Sequence, residues 1–166
     1  MLTMKSFIFL FIIRGTCTIQ LSGQAIAREG TPEDLKFKEQ YAINIKLSKI
    51  NGVYIPANLN EAFSRLQKLS PPQSILKFRM AEELVVCEKL HFGIGRWMIV
   101  NWNFYQGSRI SHLLKTKGLK HPDDMAQFLL RTFHRHLNGK TLNEEELIEK
   151  LSDSRATKTK SLLGIE

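Results

Sequence analysis

A chain of 166 residues that is 43% hydrophobic and 24% charged has an ordinary globular composition, with room for one core rather than two. The formal net charge of +8 favours acidic partners or anionic surfaces in a general way. The basic residues are spread along the chain and form no stripe interleaved with stacking aromatics, so nucleic-acid binding is not expected.

The N-terminus breaks the uniformity. One positive charge within Met1–Lys5 precedes the uncharged run Ser6-Phe7-Ile8-Phe9-Leu10-Phe11-Ile12-Ile13, and small and polar residues then lead to Ala25-Ile26-Ala27. This is the layout of a cleavable signal peptide, with the cut expected after Ala27 and Ala25 as the alternative. Arg14 interrupts the apolar run well short of the roughly 20 residues a membrane helix needs, so no membrane span is expected after cleavage. Cleavage removes Lys5 and Arg14, taking two charges from +8 and leaving +6. It also removes Cys17, so the mature chain keeps Cys87 as its single thiol and has no internal disulfide. The protein is expected to be periplasmic or extracellular.

Residues 28–52 read as a polar lead-in. Thr31-Pro32-Glu33-Asp34 can cap a short helical turn. Tyr41, Ile43, Ile45 and Leu47 then alternate with polar positions as in a strand, and Asn51-Gly52 before Val53-Tyr54-Ile55 completes a hairpin pattern. A helix from Leu35 to Ile50 competes with that reading.

From residue 53 to 151 the pattern is helical. Asn58 and Glu61 mark a capped start, Leu59, Phe63, Leu66 and Leu69 follow at helical spacing, and Pro71-Pro72 divides this helix from one carrying Ile75, Leu76 and Phe78. A helix over 81–90 packs Leu84 and Val85 and exposes Glu82, Glu83 and Glu88. The aromatic segment Gly93–Tyr105 reads as a buried helix. Ser108 caps a short helix that Gly118 ends, Pro122 opens a long one through Leu137, and 143–151 forms the last. The tail 152–166 lacks apolar periodicity and is expected to be flexible. The expected fold is mainly α: a compact bundle of about five to six short helices with a small N-terminal hairpin.

Residues that could carry chemistry sit mostly in loops. The loops offer His91 and Arg96 before the aromatic helix, Ser108 and Arg109 after it, and His121, Asp123 and Asp124 at the start of the long helix. At about 100° per residue Asn101 falls amid the aromatic face set by Trp97, Phe104 and Tyr105, where a buried amide must be hydrogen-bonded. The same arithmetic places His136 on the core face with Met125, Leu129 and Phe133, and His134 nearly opposite. Two histidines two residues apart diverge, which argues against a shared metal. An enzyme would need Ser108 to meet His91 or His121, yet no nucleophile elbow and no phosphate loop is present. Neither a metal nor a cofactor is expected.

His91-Phe92-Gly93-Ile94-Gly95-Arg96-Trp97, Asn101-Trp102, Gly107-Ser108-Arg109, His121-Pro122-Asp123-Asp124-Met125 and His134-Arg135-His136-Leu137-Asn138 together resemble an uncharacterised bacterial domain family with HFGxGxW, NNW, GSR, HPDDM and YHRYLN signatures. The resemblance covers about Val53 to Leu151. It departs at Val100, where Asn is usual, and at Phe133 and His136, where Tyr is usual. It implies no activity; what remains in common is Arg, His, Asp, Trp and Gly in loops. The expected function is a non-enzymatic module that binds a protein or cell-envelope component through Arg96, Trp97, Trp102, Arg109 and His121. The rival is a small hydrolase or metal-dependent enzyme using His91, Ser108, His121 and Asp123.

Overall fold

Residues 31–164 are described by a computed structural model. The expected signal peptide lies outside the described residues. The order is α1 (Pro32–Asn44), β1 (Lys49–Ile50), β2 (Val53–Tyr54), α2 (Leu59–Leu69), α3 (Pro72–Met80), α4 (Glu83–Leu90), a π-helical turn (His91–Gly95), α5 (Arg96–Asn101), α6 (Arg109–Thr116), α7 (Pro122–Leu137) and α8 (Glu144–Leu163). The fold is mainly α with one small hairpin, as expected. Among the described residues α4, the π turn and α5 run on without a break.

Helix α7 organises the rest. It packs against α2, α3, α4, the π turn, α5, α6 and α8, so its side chains are covered on more than one face. Met125, Ala126, Phe128, Leu129, Leu130, Thr132, Phe133 and His134 are all buried. This corrects the single-face reading of α7: His134 is buried under the α3–α4 corner, donating or accepting at the Ala81 carbonyl (3.0 Å), while His136 is exposed and stacks on Phe63 at 4.7 Å.

The region before residue 53 divides differently from the sequence expectation. Thr31 and Asp34 form a capping box, Pro32 occupies the first turn, and the chain stays helical to Asn44. Tyr41 and Asn44 face the body while Ile43 and Leu47 are exposed, which is helical and not alternating burial. The hairpin is the short piece around Asn51-Gly52, with Lys49 opposite Tyr54 and Ile50 opposite Val53. Both turn residues have positive φ (48° and 78°), the geometry that makes Asn-Gly a hairpin turn.

Helix α1 is held by one close approach. Gly107 has φ of 89°, and a Cβ there would lie 2.2 Å from Tyr41 Cδ2. The Tyr41 hydroxyl in turn meets His112 Nδ1 at 3.0 Å, and the Asn44 amide donates to the Gln106 carbonyl at 3.2 Å. Gly107→Ala is expected to push the Tyr41 ring off this seat and to add about 1–3 kcal/mol of backbone strain. Loss of the Tyr41–His112 contact in NMR spectra, with a lowered melting temperature, is the expected result.

The tail is also corrected. Helix α8 continues past Ser152 to Leu163, and Arg155 ties it to α7 through two hydrogen bonds to Asp124, of 2.5 and 2.7 Å. That long-range ion pair, and not apolar periodicity, secures the second half of α8.

Candidate functional site

The π turn results from one segment, His91-Phe92-Gly93-Ile94-Gly95. A wide turn of this kind lets the chain carry one more residue than an α-helix would, and such turns are frequent at functional sites. Here it directs Ile94 and Leu90 to the interior while leaving Phe92 86% exposed, the most exposed large hydrophobic side chain among the described residues. Gly95 is required by space. A Cβ at this position would lie 3.4 Å from His91 Nδ1 and 3.5 Å from Leu130 Cδ1.

A groove of about 610 Å³ runs between this turn, the start of α7 and the second half of α8. His91 and Phe92 form one wall, Asp123 and Asp124 the base, and Arg155 and Lys158 the other wall. His91 Nε2 meets Asp123 Oδ1 at 3.1 Å across 32 residues of sequence. Its Nδ1 is buried and has no hydrogen-bond partner. The ring is thus held by the nitrogen nearer solvent, and the free nitrogen faces protein. Asp124 is spent on Arg155, whose guanidinium is raised above its ordinary range by that hydrogen bond. His121 is exposed on an adjoining hollow of about 360 Å³ that also takes in Asp124 and Arg155.

The structure therefore brings together His91, Asp123 and Asp124, with His121 at the edge. The other candidates lie apart in role. Ser108 is fully buried as the cap of α6, its hydroxyl engaged with Ser111 at 3.2 Å. Trp102 is 1% exposed and packs edge-to-face on half-buried Trp97, with ring centroids 6.0 Å apart. Asn101 donates to the Trp97 carbonyl at 2.9 Å, one helical turn back. Arg109 reaches the Ile55 carbonyl, stands 3.8 Å from Glu61 and lies over the Tyr54 ring at 5.4 Å, so it ties α6 to the hairpin. Arg96 is exposed on the outer side of α5. No group of three or more His, Cys, Asp or Glu side chains among the described residues is placed to hold a metal ion.

Two features went unread in the sequence. Glu83 was assigned to solvent, yet its side chain is only 17% exposed and receives Arg135 Nε at 3.0 Å on both oxygens and Arg131 Nε at 3.3 Å. Burial pushes its carboxyl up, but the Arg135 and Arg131 guanidiniums outweigh burial and hold it below the usual carboxylate range. The i, i+4 pair Arg131/Arg135 on one helix face is the signal that could have shown this. Arg155 is the other, hidden by the polar composition around it. Cys87 is buried nearby, and burial pushes its thiol up to about 12, which removes it as a nucleophile at neutral pH.

No helix among the described residues is long and apolar enough to cross a membrane. Comparison with curated proteins and with solved structures gives no match. A family model does match, over residues 55–137, a stretch that starts at the end of the hairpin, takes in the π turn and the acidic base of the groove, and stops with the last residue of α7 before the α8 wall. The chain belongs to that family, described as Domain of unknown function (DUF6794).

Proposed function

We propose that the protein is a non-enzymatic binding module, exported from the cytoplasm through residues 1–27, which recognises a protein or cell-envelope component. The observation that carries this reading is Phe92: a large aromatic side chain, 86% exposed, fixed on a continuous helical run at the mouth of a groove. Aromatic and Arg side chains on rigid support are the residue types that anchor interfaces. The recognising face accordingly shifts from Trp102 and Arg109, which hold the fold, to Phe92 with His91, Asp123 and Arg96.

The hydrolase reading loses its parts on the same geometry. A nucleophile must be reachable and its base must offer a free nitrogen to the cleft. Ser108 is enclosed and hydrogen-bonded, and the unpartnered nitrogen of His91 is buried.

A photo-crosslinking residue at position 92, compared with one at exposed Gln73 on α3, tests the proposal in cells. A discrete adduct from position 92 alone is expected, on a protein whose N-terminus begins near Arg28. Identical adducts from both positions, or a protein that retains Met1, would overturn the reading.

A further inference from the structure

The second face of the π turn closes a different hollow. Leu90 and Ile94, from its two ends, wall a pocket of about 200 Å³ whose floor is Leu66, Phe78, Leu130 and Phe133 and whose rim carries Ser70 and Ser74. All four floor side chains are at most 5% exposed, and Phe78 and Phe133 stack with centroids 5.6 Å apart. We infer that this pocket is a binding site for a small neutral molecule built on a single aromatic ring, with its polar substituent, if any, at the serine rim.

The size and the chemistry of the lining set the ligand class. A cavity of roughly 150 Å³ lined by aliphatic and aromatic side chains stays dry and takes up benzene, so 200 Å³ admits one ring with a small substituent. It is smaller than the roughly 300 Å³ at which sites for drug-sized ligands begin. Water is a poor occupant, because an ordered water needs two to four polar partners and the floor side chains carry no polar atom. A flat ring gains edge or face contact with Phe78 and Phe133 that a flexible aliphatic chain does not. At the rim, neither the Ser70 nor the Ser74 hydroxyl is engaged in a side-chain hydrogen bond among the described residues, which leaves a donor and acceptor pair for a phenolic hydroxyl or an amine. A charged ligand is disfavoured, since no acidic or basic side chain lines the pocket to offset its desolvation. The wall is the same π turn whose outer side bears Phe92, but the residues are different, and this site does not depend on the groove's role.

Titration of the mature chain with p-cresol, followed by methyl NMR, tests the assignment. Saturable shifts are expected at Leu66, Leu90, Ile94 and Leu130, while the methyls of Leu119 and Leu147 stay in place. Ser74→Trp, a substitution at an exposed rim position that fills the mouth, is expected to weaken binding at least tenfold with an otherwise native spectrum. Gln73→Trp, on the same helix outside the lining, leaves the affinity unchanged. Shifts that fail to saturate, that saturate equally in Ser74→Trp, or that are matched or exceeded in affinity by 1-hexanol would overturn the proposal.

Discussion

Trp102→Ala is expected to lower the unfolding free energy by about 3–5 kcal/mol, the range for removing a fully buried large aromatic side chain. Trp102 is 1% exposed and sits in one core with Met98, Phe104, Ile110 and Phe128. The void left behind lies beneath α7, which touches nearly every other helix, so the core has little freedom to collapse into it. Against a typical total of about 5–15 kcal/mol, this is a large share. Urea unfolding, monitored through Trp97 fluorescence, should show a much lower midpoint with an unchanged slope. Weakened partner binding with an unchanged midpoint would instead restore Trp102 to the recognition surface.

The second large effect belongs to Glu83. Glu83→Gln leaves Arg131 and Arg135, with side chains only 16% and 14% exposed, facing a neutral amide. Breaking a buried pair by removing one partner costs about 3–5 kcal/mol; partial exposure brings the expectation here to about 2–3 kcal/mol. The effect has a pH signature. Because the folded pKa lies below the ordinary 4.5, the carboxylate contributes stability that is present above that value and is lost as pH falls through the depressed folded value. The groups facing it are Arg131, Arg135 and His134, whose Nδ1 stands at 4.0 Å, with Cys87 close by. Neither arginine changes charge in this range. Urea midpoints of wild type and Glu83→Gln should therefore stay apart at pH 5 to 7 and converge on acidification below about pH 4. A gap independent of pH would show that the loss comes from packing alone.

Most helix boundaries were legible because they are written in local chemistry. Asn58 accepts from the Glu61 amide at 2.9 Å, Ser108 caps α6, Pro122 opens α7, and Gly118 and Gly139 take the positive φ that ends a helix. Even there the partner can differ from the pattern: the Glu61 carboxylate accepts from the Ala57 amide and the Tyr54 hydroxyl, drawing the hairpin onto α2. The run from Tyr41 to Leu47 misled because period-two hydropathy over seven residues also fits a helix that buries little, and α1 buries only Asn44 fully. The candidate site was legible in its acidic half, where His91, Asp123 and Asp124 do converge. Its basic half was not, since Arg155 meets Asp124 only after the chain has folded back across 31 residues. Nor does a sequence distinguish a capping serine such as Ser108 from a reactive one; burial decides that.

The π turn also sets how this chain can change by insertion and deletion. Excising one residue between His91 and Gly95 would let α4 and α5 join as an ordinary helix, which on local grounds is an improvement. Each helical residue, however, turns the chain by about 100°. Everything from Arg96 onward would rotate by that amount, carrying Met98, Ile99 and Trp102 out of the core and Arg96 and Val100 toward it. Length at this point is therefore tied to the register of the whole interior, and a deletion library scored for soluble expression should find 91–95 among its least tolerant segments.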